Sequence, residues 1–320
     1  MKHFDPIGKI GLAPMAGAGD SGFRRICMEN GADYSVSEMI SSKAIQYGDH
    51  KSEQLASHHP DEEPFLIQLF GHEPDCLAGA AAYIQEKYHP IGIDLNMGCP
   101  APKIFNNGDG SALLKNADLA AKIVEKVRGA CSCPVSVKMR IGIEKYDQSA
   151  SEHFAKMVEK AGVSFITVHG RTRNQQYAGK ADYQAIRSIK EAVSVPVIAN
   201  GDVVDGESAE RILKETGADG IMIARGALGA PDVFSRIKAY LENREALPLP
   251  LKQRFALCLR QLSYMIEDKG EEKACIEFRK HMLWYLKGIS GAAVYKARAG
   301  KIASLSDCKE LIEMILKVNK

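Results

Sequence analysis

Short apolar runs alternating with helix-length segments from Ile10 to about Ala230 predict an α/β fold, a (β/α)8 TIM barrel. A proline-rich break, Ala246-Leu-Pro-Leu-Pro-Leu251, and an all-helical remainder add a small C-terminal helical domain. The expected boundaries are 1–245 for the barrel and 252–320 for the helical domain. Length agrees, since 320 residues can bury one large core and a modest second one.

The predicted strands are, in order, Ile10–Ala13, Tyr34–Val36, Phe65–Leu69, Ile91–Leu95, Val135–Met139, Phe165–Val168, Val197–Ala199 and Gly220–Ile223. Helices are expected between them at Gly22–Asn30, Asp75–Glu86, Ala117–Arg128, Gln148–Lys160, Tyr183–Ala192 and Glu207–Glu215. The tail should form helices at Gln253–Lys269, Lys273–Leu286 and Ser306–Val318. One competing pattern is Gly17-Ala-Gly-Asp-Ser-Gly22, which matches G-x-G-x-x-G between a strand and a helix. Pro14-Met15 separates these glycines from the strand, and Asp20 would set a carboxylate where a pyrophosphate should bind. The barrel rhythm therefore prevails over a dinucleotide fold.

Several function classes are excluded by composition. No apolar run approaches the ~20 residues of a membrane span, and Met1–Pro6 lacks the apolar stretch of a secretory signal. Eight scattered cysteines without a repeated framework fit a reducing compartment, so a cytoplasmic location is expected. The close pair Cys131 and Cys133 has neither C-x-x-C spacing nor a nearby histidine, and no metal site is expected. The net charge of +2 is uneven. From Lys252 onward there are 14 Lys/Arg against 8 Asp/Glu, a balance of +6 that leaves −4 for the rest. A basic tail on a mildly acidic body fits an anionic partner, although a solvated helix face would look the same.

Chemistry in such barrels sits at the C-terminal strand ends, and those positions are unusually polar here. They are Pro14-Met15-Ala16, Glu38, Gln68, Asn96 with Cys99, Lys138 with Arg140, His169 with Arg171, Asn200-Gly201-Asp202 and Ala224-Arg225-Gly226. One buried Gln or Lys is ordinarily a satisfied structural group; so many on one rim are not explained that way. Glycines and a fixed cation after strands seven and eight predict a phosphorylated cofactor. Lys138 and His169 would project over the barrel centre, where a cation stabilises negative charge on a reduced ring, which fits FMN. Pro100 and Pro102 hold Cys99 in an extended or turn conformation just past a strand end. Alone, such a cysteine is more often a small core residue. The following Asn106-Asn107-Gly108-Asp109-Gly110 reads as a segment able to move over a substrate.

The chain closely resembles the tRNA-dihydrouridine synthase family, in particular its bacterial B-type branch. The resemblance rests on L-A-P-M-A-G at Leu12–Gly17, Q-L-F-G at Gln68–Gly71, D-L-N-M-G-C-P at Asp94–Pro100 and V-K-M-R at Val137–Arg140. V-H-G-R-T-R at Val168–Arg173, N-G-D at Asn200–Asp202, A-R-G at Ala224–Gly226 and F-R-K-H-M-L-W-Y at Phe278–Tyr285 complete it. The resemblance implies FMN bound by Pro14, Met15, Ala16, Gln68, Lys138, His169, Asn200, Gly201, Asp202, Ala224 and Arg225, with Cys99 as catalytic acid. Ala224 stands where many members have glycine, a change that preserves the backbone donor. The implied reaction uses NADPH to reduce FMN, whose N5 delivers hydride to uracil C6 while Cys99 protonates C5. A thiol of ordinary pKa is mostly protonated at neutral pH and can serve, whereas serine would donate poorly. The resemblance also implies that Asn96 meets the uracil edge, and that the target base leaves its stack to enter the barrel mouth.

For the tRNA itself, Arg279, Lys280, His281, Trp284 and Tyr285 combine cations with aromatics suited to phosphates and unstacked bases. Trp284 is also expected as core of the small domain. Arg140, Arg171 and Arg173 at the rim would extend the basic track. The protein is expected to act as a monomer. Two other readings remain: an FMN-dependent dehydrogenase of a free pyrimidine, similar to dihydroorotate dehydrogenase, and an RNA-binding module in which Cys99 is idle. The first would not need the basic tail; the second would tolerate loss of Cys99.

Overall fold

A computed structural model of the protein describes residues 4–319. Met1–His3 and Lys320, the outer ends of the two expected domains, lie outside the described residues. Eight parallel strands close a barrel: β1 (Ile10–Leu12), β2 (Tyr34–Val36), β3 (Phe65–Phe70), β4 (Gly92–Met97), β5 (Val135–Arg140), β6 (Phe165–His169), β7 (Val197–Asn200) and β8 (Gly220–Ile223). Closure is made by β1 pairing with β8, Ile10 opposite Ile221, and by β2 pairing with β3, Ser35 opposite Phe65. A two-residue strand, Ile40–Ser41, runs beside the end of β3. Helices α1 (Ser21–Glu29), α2 (Pro74–Tyr88), α3 (Ala117–Ala130), α4 (Gln148–Lys160), α5 (Tyr183–Ala192), α6 (Gly206–Thr216) and α7 (Val233–Leu241) wrap the outside. Five of them start at a side-chain cap, with Asp20, Asn116, Asp147, Asp182 and Asp205 each accepting a first-turn amide. Asp20, the residue that spoiled the dinucleotide pattern, is thus the cap of α1.

Strands covered on both sides read as continuous apolar runs, and their alternate side chains separate two cores. One face packs against the helices. The other fills the lower barrel with Phe4, Tyr34, Leu66, Phe165, Ile198 and Met222. Phe4 closes the bottom, its ring 5.1 Å from Tyr34 and 5.8 Å from Phe165. Gly11 is required beneath Tyr34, because a Cβ there would stand 2.2 Å from the ring. Above this apolar plug the inward positions turn polar, and the site begins there.

Beyond an irregular stretch come α8 (Leu251–Lys269), α9 (Glu271–Tyr285), α10 (Ala292–Ala299) and α11 (Leu305–Val318). They enclose their own core, built on Phe255, Leu262, Phe278, Tyr285 and Leu311. Helix α10, short and bounded by Gly291 and Gly300, is additional to the three tail helices expected. No helix among the described residues is long and apolar enough to cross a membrane.

The tail packs directly on α1. Arg25 pairs with Glu267 at 2.6 Å and lies over the Tyr264 ring, while Lys269 reaches Asp20 at 2.8 Å. Gly22 lets the helices touch, as a Cβ there would meet Met265 Cγ at 2.6 Å. Gly229, after β8, has φ +71° and lies where a Cβ would stand 2.4 Å from the Trp284 carbonyl carbon. Gly288 has a similar φ of +82° but open space around it. Gly288→Ala should therefore cost about 1 kcal/mol, the left-handed backbone alone. Gly229→Ala should cost at least about twice that, because the tail must also shift. Urea unfolding of the two variants checks the difference.

Candidate active site

The polar strand ends surround a cavity of about 670 Å³ at the C-terminal mouth of the barrel. All eleven residues expected to hold the cofactor line it: Pro14, Met15, Ala16, Gln68, Lys138, His169, Asn200, Gly201, Asp202, Ala224 and Arg225. Asn96, Cys99 and Arg140 line it as well.

Cys99 is held by its own backbone. Asn96 Oδ1 accepts the amides of Gly98 at 3.2 Å and Cys99 at 2.9 Å. The Cys99 carbonyl accepts from Ser111 Oγ at 2.7 Å and from the Ser111 amide at 3.2 Å. Gly110, with φ +59°, fits because a Cβ there would sit 3.0 Å from the Cys99 Cβ. Burial raises the thiol pKa, opposed by the Ala101 amide and the charges of Arg140 and Lys138. The thiol therefore carries its proton at neutral pH.

The stretch expected to move over a substrate contains short helical turns. Pro102–Asn106 is a short helix and Gly110–Lys115 a 3-10 turn. Asp109 between them is buried, bonded to His72 Nδ1 at 2.7 Å and to Asn107 Nδ2 at 2.7 Å. The polar residues that looked like a loop are used in fastening this segment to the end of β3.

Across the cavity, Lys138 Nζ donates to Asn200 Oδ1 at 3.0 Å, and Asn200 Nδ2 donates to the Met222 carbonyl at 2.7 Å. Burial, with the Arg140 charge, lowers the Lys138 pKa to about 8, against the opposing pull of Asp94 and Cys99. His169 is driven strongly down by burial and by four surrounding cations, Lys138, Arg140, Arg171 and Arg225, so its imidazole is neutral. Below them Gln68 Nε2 donates to buried Asp94 at 2.6 Å. Gly226 lies where a Cβ would strike the Val203 carbonyl oxygen at 2.2 Å, so the turns after β7 and β8 meet backbone to backbone. Two amides, an ammonium, a half-exposed guanidinium and this glycine-lined junction form a donor set suited to a phosphorylated planar cofactor.

Several expected contacts are otherwise engaged. Arg140 is buried and gives its guanidinium to the carbonyls of Gly98, Thr172 and Gln176. Arg171 lies beneath the rim, bonded to Asp202 at 2.8 Å and to the carbonyls of Ala178 and Gly179. It therefore extends no surface track, and Asp202 spends its carboxylate on Arg171 and the Ala181 amide. Arg173 stacks over Phe105 at 4.0 Å, outside the cavity. Asn96 has its oxygen committed to the Cys99 turn and one amide hydrogen to Gln68 Oε1 at 2.8 Å.

In the tail, Arg279 Nε donates to the Ile302 carbonyl at 2.9 Å, and Lys280 exerts its charge near Glu38; neither lines the cavity. His281 and Tyr285 are buried, and both bond to Gln261. Trp284 is not simply core of the small domain. With Lys287 it forms part of the cavity wall. Tyr177, 55% exposed and 4.7 Å beneath the Arg225 guanidinium, also lines the cavity and, like Lys287, was not foreseen. An aromatic four residues past Arg173 was the only signal for it.

The model of the dihydrouridine synthase (Dus) family matches residues 11–319. A tRNA-dihydrouridine synthase B from Pseudomonas aeruginosa is 40% identical over 292 residues, 91% of this chain and 87% of that relative. A probable tRNA-dihydrouridine synthase from Rickettsia bellii is 41% identical over 287 residues, 89% of this chain and 87% of the relative. Among solved structures, histamine dehydrogenase from Rhizobium sp. 4-9 aligns with a TM-score of 0.57 and 13% identity, over 80% of this chain and 48% of that one. A 2-naphthoyl-CoA reductase complex aligns with a TM-score of 0.56 and 11% identity, over 74% and 50% of the two chains. These distant structures share the fold alone. Matched along nearly its whole length and about 40% identical to relatives of similar extent, the chain belongs to the dihydrouridine synthase family.

Proposed function

We propose that the protein reduces uridines in tRNA to dihydrouridine, with FMN as cofactor, NADPH as reductant and Cys99 as the acid. The observation that carries this reading is a neutral thiol, fastened through its backbone on both sides, facing a cavity with Lys138 and Arg225 in its wall. The names of the relatives support tRNA as the substrate. FMN, when bound, supplies hydride to C6 of the uracil ring. Negative charge then develops toward C5 and O4, and Cys99 donates its proton to C5. Lys138, mostly protonated below a pKa of about 8, offsets negative charge in the cavity. Neutral His169 adds a hydrogen-bonding ring without further positive charge. Trp284 and Lys287 supply an aromatic face and a cation at the mouth, suited to an unstacked nucleotide and its phosphate.

Lining of the cavity by the tail also bears on the free-pyrimidine alternative. Deleting residues beyond Leu251 would remove Trp284 and Lys287 from the wall, so a loss of turnover would not separate the two substrates. Direct competition between tRNA and free pyrimidine would do so.

Incubating unmodified tRNA with the purified protein and NADPH should give uridine a two-hydrogen mass gain in nucleoside mass spectrometry. Cys99→Ala should lower the rate at least about 100-fold, the usual contribution of a general acid, and Cys99→Ser should resemble it. A Cys99→Ala protein that keeps its rate would refute the assignment. The pH profile follows from Lys138. Its lowered pKa means that the cation is present below about 8 and lost as pH rises through that value. Turnover should fall on the alkaline side with a midpoint near 8, and Lys138→Arg should move that limb upward.

A further inference from the structure

We propose that Asp94 is a positioning residue for Cys99: its buried carboxylate dictates which way the amides of Gln68 and Asn96 face, and thereby anchors the Cys99 turn. This rests on the assignment of Cys99 as proton donor. A primary amide can turn half a revolution about its last bond with almost no change of shape, exchanging donor for acceptor. Its orientation is therefore chosen by its partners, and in a chain of amides by whatever fixes the end.

Asp94 is that end. It is 2% exposed and does not line the cavity. Oδ2 accepts from Gln68 Nε2 at 2.6 Å, and Oδ1 accepts from Ser136 Oγ at 2.6 Å. The three residues lie in register on neighbouring strands, Gln68 opposite Asp94 and Asp94 opposite Ser136. Burial raises the Asp94 carboxyl pKa on balance, opposed by both hydrogen bonds and the Lys138 charge, each of which favours the ionised form. A carboxylate only accepts, so the Gln68 nitrogen must face it. Gln68 Oε1 is then presented to Asn96 Nδ2 at 2.8 Å. The Asn96 oxygen is left to accept the Cys99 and Gly98 amides. Reversing Gln68 would set its oxygen against the carboxylate and its NH2 against that of Asn96, and reversing Asn96 would point an NH2 group at two part-buried backbone N–H groups. The motif D-L-N-M-G-C reads accordingly: β4 carries Asp94, which sets the polarity, and Asn96, which passes it from Gln68 on β3 to the Cys99 turn just past the strand end.

The test uses Asp94→Asn and the compensated Asp94→Asn/Gln68→Glu. Asparagine at 94 offers one donor and one acceptor, so neither orientation of Gln68 is enforced. A carboxylate at 68 accepts from both neighbours and forces the Asn96 oxygen back toward Cys99. Amide hydrogen exchange of Gly98 and Cys99, measured on the full chain, reads the anchor directly. Exchange should quicken about tenfold in Asp94→Asn and return to within about threefold of wild type in the double variant, as expected for loss and recovery of local hydrogen bonds. Dihydrouridine formation in a single turnover should slow about tenfold in Asp94→Asn. Unchanged exchange at Gly98 and Cys99 in Asp94→Asn would overturn the proposal. So would a loss that spreads along β4 and is not recovered by the double variant, the mark of a packing role only. Should the wild-type protein form no dihydrouridine, the functional reading fails, and the exchange comparison still decides the role of Asp94.

Discussion

A polar side chain turned into a closed barrel is strongly unfavourable unless it finds a partner there, and the upper half of this molecule is organised by that constraint. Parallel pairing and a period of two leave no choice about which residues point inward. Leu66 and Phe165 fall in the lower layer, where an apolar plug can form. Further along the same strands come Gln68 and His169. These polar residues interlock: Gln68 with Asp94 and Asn96, Lys138 with Asn200, Arg140 with three carbonyls. The partners that satisfy each group also fix its direction. Much of the polar lining, Gln68, Asn96, Lys138, His169 and Asn200, is thus held on strands, with Cys99, Asp202 and Arg225 on the turns that follow them.

Strand positions were legible because apolar runs covered on both faces leave a plain trace. Tyr34–Val36 and Gly220–Ile223 coincide with β2 and β8. The expected run at Ile91–Leu95 stops short because β4 continues through Asn96 and Met97. Apolarity ends where the cavity begins, while the backbone ladder does not. The eleven residues expected to hold a cofactor line the cavity for the same reason, since each lies at or just past a predicted strand end. What each polar group bonds to was not readable. The partners of Arg140 lie 32 and 36 residues away at Thr172 and Gln176, and nothing in its local sequence names them. Likewise Asn106–Gly110 has the composition of a mobile loop, and only the distant His72 reveals why it is fastened.

The tail matters to the site through close backbone approach rather than through its charge. Gly22 brings α8 against α1, and Gly229 brings the end of α9 against the turn after β8. The second contact sets Trp284 and Lys287 at the cavity edge. A charge count along the tail points instead to Arg279, whose guanidinium bonds to the Ile302 carbonyl. The basic balance of this region is therefore a poorer guide to its role than two glycines, each admitting a neighbour that a Cβ would exclude.

Burial acts on Cys99 and Lys138 in opposite senses, and both effects favour the uncharged form. It lifts the Cys99 thiol and lowers the Lys138 ammonium. For the thiol, this retains the proton that an acid must give. For the lysine it brings the pKa to about 8, leaving the cation in place at neutral pH but ready to respond to charge nearby. The Arg225 guanidinium lies half open to solvent in the same wall. The cavity thus combines a proton that is held, a buried cation that responds to its surroundings and a second cation at its edge. Negative charge arising among them would be met by positive charge already present.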